Sequence, residues 1–292
     1  MVLQLLHRTT FVYAGAVRDS FNEVRLRPVD DTAQSCKDFE LRISPSGGEV
    51  RDYVDYYGNR VHYFDLAASH NELVIEASSR VETKPDIDRP LIPAIPSPGR
   101  PGARAPDELY SEFLADSHYV PLSVELWRET QDVFAEVGRE EVWQDALRLG
   151  RHVYKTFTYK PHSTGVHTLA TDALKMRTGV CQDYAHVMLG LCRTVGIPAR
   201  YVSGYFFNRS RRPGEIEASH AWVEVLIPTY GWAAYDPTHD RIADERYVKI
   251  AAGRDYADIR PVSGTYRGAA TKELRVEVMV REPAIGVPIP PV

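Results

Sequence analysis

The chain has 292 residues, of which 43% are hydrophobic and 26% charged, a composition typical of a globular protein with a sizeable core. Its net charge is −5 at pH 7 and its pI is about 6.1, which argues against nucleic acid or an anionic membrane as a partner. The opening residues lack a secretion-signal pattern, and three cysteines are too few for a disulfide framework. We therefore expect a cytoplasmic protein, whose oligomeric state the sequence leaves open.

Residues 1–84 are predicted to form a β-rich N-terminal domain. Several segments are short apolar runs or alternate between apolar and polar residues, and Gly58-Asn59 marks a hairpin turn between two of them. Short strands at this spacing are typical of a small β-sandwich. The predicted strand segments are Leu3–Val12, Phe39–Ile43, Tyr53–Tyr57, Val61–Phe64 and Glu72–Val81.

A proline-rich stretch follows, and the pattern then becomes helical. Residues 85–106 contain seven of the 20 prolines and are predicted to be a semi-rigid linker. Residues 107–283 are predicted to form an α+β core, with helices first and antiparallel strands after them. The last nine residues, 284–292, are predicted to be a loose proline-rich tail.

Three helices are predicted from apolar residues at helical spacing. Two cover Ser123–Val137 and Glu141–Tyr154, and the third begins at Cys181 and ends near Gly196. The strands predicted after them are Arg200–Phe207, His220–Ile227, Trp232–Tyr235 and Glu273–Val280.

The third predicted helix places Cys181 where a loop turns into a helix. The free N–H groups of a first turn and the helix dipole stabilise negative charge, so a thiol at this position is a candidate nucleophile. Most cysteines in such proteins are small buried residues, and we expect that role for Cys36 and for Cys192 on the apolar stripe of the helix. Cys181 therefore needs partners before it can be assigned a function.

His220 and Asp236 are the predicted partners of Cys181. If the hairpin of the two middle strands is centred at Thr229, His220 lies opposite position 238 and Asp236 is its diagonal neighbour on the same face. A carboxylate bonded to one ring nitrogen fixes the tautomer and turns the other nitrogen toward the thiol. Each residue also has an ordinary interpretation, since a histidine in a strand is usually structural and Asp-Pro is common in turns.

Other histidines near these segments are weaker candidates. His239 and Asp240 could be combined with His220 and Asp236 as a metal site, but the spacing matches no zinc pattern, so no metal is expected. His162 and His167 lie in the loop before Cys181 and are interpreted as surface or substrate-facing residues.

Three segments together resemble the transglutaminase-like superfamily of papain-related thiol enzymes. They are Thr178–Tyr205, which contains Gly-Val-Cys-Gln-Asp-Tyr-Ala, then His220-Ala-Trp-Val-Glu-Val, then Tyr235-Asp-Pro-Thr. The resemblance implies Cys181 as nucleophile, His220 as base and Asp236 as orienting acid. It also implies a papain-like core with helices packed on an antiparallel sheet. Segments similar to bacterial members, including their β-rich N-terminal region, occur from about residue 1 to residue 280.

The resemblance leaves the side-chain donor for an oxyanion open. We expect the backbone N–H of Cys181 to be one donor, and Tyr159 is the candidate for a second, although a core tyrosine is an equally good interpretation. Gln182 and Trp222 are further candidates for the substrate site. No cofactor is expected, since no acidic calcium loop is visible.

These observations predict a thiol enzyme that cleaves an amide or peptide bond through a thioacyl intermediate, with a peptide or protein as substrate. One alternative is a transamidase or amide ligase with the same three residues. Another, from a different class, is a peptide-binding module without activity.

Overall fold

A computed structural model describes residues 1–85, 91–103, 108–209 and 219–283. The predicted tail, 284–292, and parts of the predicted linker lie outside the described residues. Among the helices of the described ranges, none is both long and apolar enough to cross a membrane.

The N-terminal region is one antiparallel sheet built around a long first strand. Its five N-terminal strands are β1 (Val2–Val24), β2 (Gln34–Ser44), β3 (Arg51–Val54), β4 (Arg60–Leu66) and β5 (His70–Thr83). The first half of β1 pairs with β5 and the second half with β4, and the register shifts between Val12 and Val17. An irregularity of this kind lets a strand bend, so one strand contributes to two layers. The strands predicted within β1, β2, β4 and β5 and the hairpin at Gly58-Asn59 are confirmed. The strand predicted at Tyr53–Tyr57 ends at Val54, and its later residues belong to the turn.

The two halves of this sheet pack against each other, as in a sandwich. Phe64 and Leu66 of β4 share a buried cluster with Leu73 and Ile75 of β5. Across the same cluster, the ring of Phe39 on β2 lies 4.9 Å from that of His62 on β4. The alternating apolar residues of the N-terminal segment thus fill the space between two layers of one bent sheet.

The predicted core included two late strands that belong to the N-terminal sheet instead. These are β13 (Val262–Gly268) and β14 (Thr271–Arg281), and both pair with β1. The prediction of a strand at Glu273–Val280 is confirmed, but its grouping with residues 107–283 is wrong. Alternation shows that a segment is a strand without showing its partner, which here lies more than 200 residues away in sequence.

The core contains four α-helices and one short 3-10 helix among the described residues. Helix α1 begins after Ser123, whose hydroxyl accepts a hydrogen bond from the N–H of Leu126 and so caps the first turn. The elements are the 3-10 helix Glu108–Leu114, then α1 (Val124–Phe134), α2 (Val142–Thr156), α3 (Ala170–Met176) and α4 (Cys181–Thr194). The three predicted helices are confirmed.

Helix α4 packs on a five-stranded antiparallel sheet. The strands are β8 (Ala199–Phe206), β9 (His220–Ile227), β10 (Gly231–Asp236), β11 (Arg241–Ile242) and β12 (Tyr247–Gly253), in the order β11-β10-β9-β8-β12. Two short strands, β6 (Thr158–Tyr159) and β7 (Thr178–Gly179), pair in parallel just before α4. The α+β prediction of helices on an antiparallel sheet is therefore confirmed.

The N-terminal sheet is tied to the core by buried polar contacts. The amide of Asn59 donates to the carbonyl of Ala252 at 2.9 Å and accepts from its N–H at 2.8 Å. Lys249 of β12 lies between Glu224 of β9 and Asp31 of the N-terminal region, at 2.9 and 2.7 Å. Because Asn59 and Glu224 are buried and Lys249 is largely so, each needs its partner, and these contacts hold the two regions together.

Cys192 is a structural residue of the helix that Cys181 begins. Its side chain is completely buried in the apolar cluster, and burial raises the pKa of its thiol to about 12. Replacement by Ala should lower the free energy of unfolding by about 1–2 kcal/mol, as expected for a small cavity. Urea denaturation measures this change, and an unchanged midpoint would show that the site collapses without cost.

Candidate active site

Cys181 is the first residue of α4, as the sequence predicts. The carboxylate of Asp183 accepts a hydrogen bond from the N–H of Val180 at 2.8 Å, which fixes the start of the helix. Gly179 is required there, since a Cβ at this position would lie 2.5 Å from that carboxylate. The Cys181 side chain is partly exposed, so the thiol lies at the surface of the core, at the N-terminal end of the helix.

His220 and Asp236 meet on neighbouring strands beside this helix. Gly231 pairs with Ile227 and Ala234 with Glu224, so the hairpin is centred at Thr229 and the predicted register is confirmed. His220 Nε2 lies 2.7 Å from Asp236 Oδ2. This contact leaves Nδ1 as the ring nitrogen available to a thiol.

The Cys181 sulfur lies close enough to the His220 ring to contribute to its pKa, so the structure brings the three predicted residues into one group. Burial alone would lower the pKa of His220, but the charge and hydrogen bond of Asp236 and the neighbouring Cys181 sulfur outweigh it and hold that pKa well above its usual value. Burial alone would raise the pKa of Asp236, whereas His220 and then His239 hold it well below its usual range. The group is therefore suited to an imidazolium paired with a thiolate on one side and a carboxylate on the other.

Asp236 is fully buried and accepts five hydrogen bonds. The N–H groups of Thr238 and His239 donate to Oδ1 at 2.8 and 3.3 Å. His239 Nδ1 and the Tyr247 hydroxyl each lie 2.7 Å from Oδ2, the same oxygen that His220 contacts. The carboxylate is thus enclosed by donors that replace water.

His239 and Tyr247 also belong to this site, although neither was predicted from the sequence to contact Asp236 as part of a catalytic group. His239 follows Asp236 by three residues in an Asp-Pro-Thr-His turn, in which such a side chain can fold back on the aspartate, and this spacing was a usable signal. Tyr247 has no comparable signal, because it comes from β12, which is not a hydrogen-bonded neighbour of β10. Its ring lies 4.7 Å from that of Phe206, which also contacts His220 and His239.

Trp222 packs beside His220, as its position on the same strand face predicts. The two rings stack with centroids 6.2 Å apart, and the indole is almost completely buried against Tyr247. Gly204 on β8 makes this packing possible, since a Cβ there would lie 2.6 Å from the indole ring. Within the described residues the indole N–H has no hydrogen-bond partner. Trp222 therefore supports the site from beneath and presents little surface to a substrate.

Tyr159 and Gln182 lie near the nucleophile in different ways. Tyr159 pairs with Gly179 across β6 and β7 and is half exposed, and burial followed by the Cys181 charge raises the pKa of its hydroxyl. The Gln182 amide donates to the carbonyl of Val166 at 3.0 Å, which ties the loop before α3 to the first turn of α4. Both side chains border the thiol end of the helix.

The remaining histidine candidates separate into two groups. His167 Nδ1 lies 3.1 Å from the Tyr119 hydroxyl, and His162 lies in the same loop with a left-handed backbone. The donor atoms of His220, Asp236 and His239 lie within 4.8 Å of one another, a spacing that a divalent cation could also use. The hydrogen bonds to Asp236 Oδ2 account for this grouping, and we assign no metal to it.

Comparison with known proteins identifies the family. The profile of the bacterial transglutaminase-like N-terminal region matches residues 3–82, and that of the transglutaminase-like superfamily matches residues 131–237, which include Cys181, His220 and Asp236. An uncharacterized protein of Mycobacterium leprae is 35% identical over 95% of this chain and 98% of its own length. The chain belongs to the transglutaminase-like superfamily.

Other similarities within this superfamily are weaker or shorter. An uncharacterized protein of Mycobacterium bovis is 32% identical over 89% of this chain and 86% of its own length. A protein-glutamine gamma-glutamyltransferase of Pseudomonas aeruginosa is 34% identical over 42% of this chain, but this region is only 20% of that protein. The crystal structure of a “Putative Cysteine Protease” from Cytophaga hutchinsonii matches with a TM-score of 0.75 and 24% identity, covering 98% of this chain and 92% of that one, which shows a shared fold.

Proposed function

We propose that this protein is a thiol-dependent acyl-transfer enzyme that cleaves an amide or peptide bond through a thioacyl intermediate. The observation that carries the proposal is the grouping of Cys181, His220 and Asp236: the imidazole lies 2.7 Å from the carboxylate, and the Cys181 sulfur lies near enough to the same ring to contribute to its pKa. A thiol at a helix start, beside an oriented base, is the arrangement that nucleophilic catalysis requires.

The proposed reaction follows from this geometry. The Cys181 thiolate attacks the carbonyl carbon, and the carbonyl π electrons move to oxygen. The tetrahedral intermediate collapses, the C–N bond breaks, and His220 donates its Nδ1 proton to the departing amine. Water then attacks the thioester while His220 takes its proton, the C–S bond breaks, and the acid and thiolate are released. Asp236 keeps the ring oriented and stabilises its charged form throughout.

The tetrahedral oxygen needs donors near the thiol. The backbone N–H of Cys181 lies in the first turn of α4, where such groups have no partner within the helix. We propose Tyr159 as the side-chain donor, on the basis of its half-exposed position beside Gly179. Tyr159→Phe should then lower kcat by about 10–10³-fold with little change in KM, because the hydroxyl acts on the tetrahedral oxygen alone. Steady-state kinetics on the purified variant would test this role. An unchanged kcat would show that Tyr159 lines the site without donating to the tetrahedral oxygen.

Hydrolysis is the preferred outcome, and transamidation is the second candidate. The same thioester forms in both, and the outcome depends on whether water or an amine attacks it. The similarity to a gamma-glutamyltransferase favours the second candidate over part of the core. We prefer hydrolysis because the sequence shows no dedicated amine site. A cytoplasmic location belongs to the same proposal, since free thiols persist in a reducing compartment.

A single experiment tests the activity and separates the two outcomes. The protein is incubated with a library of glutamine-containing and other peptides, with and without a labelled primary amine. New amine termini indicate peptide hydrolysis, ammonia release without label indicates deamidation, and label incorporation indicates transamidation. The Cys181→Ala variant is the matched control. Peptide binding without any turnover would favour the non-catalytic binding module.

The pH dependence of the reaction has a defined direction. Activity requires the imidazolium–thiolate pair, and the pair is lost when His220 releases its proton. Since the pKa of His220 is held well above its ordinary value of about 6.5, the alkaline limb of kcat/KM should lie well above pH 6.5. An alkaline limb of kcat/KM near 6.5 would contradict the proposed role of Asp236.

A further inference from the structure

Oδ2 of Asp236 accepts hydrogen bonds from three side chains. His220 Nε2, His239 Nδ1 and the Tyr247 hydroxyl all lie 2.7 Å from this one oxygen, and the aspartate side chain has no exposed surface. A carboxylate oxygen has about two lone-pair directions, so three donors divide its negative charge among them. His220 therefore shares the negative charge of Oδ2 with two other donors.

Orientation alone does not require the two additional donors. Oδ1 already accepts hydrogen bonds from the backbone N–H groups of Thr238 and His239, which fix the plane of the carboxylate. A donor on Oδ2 has another effect, since it stabilises the carboxylate whether or not His220 carries its second proton. Such a donor therefore lowers the pKa of His220, because a buried carboxylate without other donors would stabilise the protonated ring more strongly.

We propose that Tyr247 and His239 are positioning residues that share Asp236 Oδ2 with His220 and so limit how tightly this carboxylate holds the His220 proton. The inference rests on the proposed function, in which His220 must give a proton to the amine and later accept one from water. A base that held its proton too strongly would be a poor acid in the first step. Tyr247 is suited to this function because its hydroxyl is a neutral, buried donor.

Several other ionisable groups face the same cluster. Arg241 and Arg246 lie over the Phe206 ring at 5.7 and 5.5 Å, and Asp244 accepts hydrogen bonds from Arg246. Cys181 also contributes to the pKa of His220. All of these groups are left intact when the Tyr247 hydroxyl alone is removed, so the effect of Tyr247→Phe can be assigned to the shared oxygen.

The test measures the titration of His220 without relying on turnover. In full-length Cys181→Ala protein, which removes the thiol charge, the His220 ring signal is followed by NMR against pH and assigned with His220→Gln. Adding Tyr247→Phe should raise the pKa of His220 by about 0.5–1 unit, a fraction of what a hydrogen bond to a charged group is worth. In the protein with Cys181, the alkaline limb of kcat/KM should move upward by a similar amount.

Tyr205→Phe is the matched control. Its hydroxyl is also buried, on the adjacent strand β8, and lies 2.7 Å from His7 rather than from Asp236. This variant should lose a comparable hydrogen bond while leaving the pKa of His220 unchanged. An unchanged or lowered pKa in Tyr247→Phe, or an equal rise in both variants, would overturn the proposal.

His239 provides a second test that carries little risk to folding, since its side chain is 42% exposed. His239→Ala removes the donor and should raise the pKa of His220, whereas His239→Asn keeps an N–H near the Nδ1 position and should restore the original value. If His239→Asn does not restore the pKa of His220, the effect comes from packing, and the inference for His239 is overturned. If no peptide is turned over by the protein, these titrations still decide the inference, so the two failures are distinguishable.

Discussion

Cys181→Ala should reduce turnover of an amide substrate by at least about 10⁴-fold, because no thioacyl intermediate can form without the sulfur. The free energy of unfolding should change little, since Cys181 is only partly buried at the start of α4 and Ala is a good helix residue. Activity is measured with the peptides that show turnover, and stability by urea denaturation of the same preparation.

Cys192→Ala is the matched control for this variant. It removes a thiol from the same helix, but from a completely buried position in the apolar cluster. We expect it to keep activity and to lose stability, the reverse of Cys181→Ala. If Cys181→Ala instead lost activity together with its fold, the thiol would be structural and the nucleophile assignment would be wrong.

Asp236→Asn should lower kcat by about 10⁴-fold, the cost of this change in the Ser-His-Asp template, where the amide selects the wrong tautomer of the histidine. Here the effect has a second source. The amide NH₂ that replaces one oxygen cannot accept hydrogen bonds, and every position around the carboxylate is occupied by a donor. Some loss of stability is therefore expected, of about 1–3 kcal/mol for buried donors left unpaired.

Asp240→Asn is the control for Asp236→Asn. Asp240 lies in the same turn and accepts a hydrogen bond from Tyr235, but it does not contact His220. Its replacement should cost some stability and leave kcat nearly unchanged. A fall of less than about tenfold in Asp236→Asn, far short of the template, would mean that another acid orients His220.

Low pH should also reduce the free energy of unfolding, because Asp236 becomes protonated. The pKa of this carboxyl is lowered in the folded protein, so its ionisation contributes stability above the unfolded value of about 3.9, and this contribution is lost as the pH falls toward the folded value. His220 acts in the opposite direction. Its raised pKa contributes stability that is fully present below about 6.5 and is lost as the pH rises through the folded value.

The sequence by itself determined the local features of the site. A glycine before an apolar stripe at helical spacing placed Cys181 at the start of a helix, and the structure has that helix begin at Cys181. The hairpin between β9 and β10 is short, so its turn sets the register, and the register puts His220 and Asp236 on one face. Signals of this kind lie within a few residues of each other, and periodicity and turn chemistry can encode them.

Only the tertiary structure decided which distant segments meet. Alternation in residues 273–280 predicted a strand but could not show that it pairs with β1. Tyr247 reaches Asp236 from β12, on the far side of β8 and β9 in the sheet order, and no spacing in the sequence links the two residues. Such contacts depend on how layers stack and how a long strand bends, which is set by the packing of the whole core rather than by any local pattern.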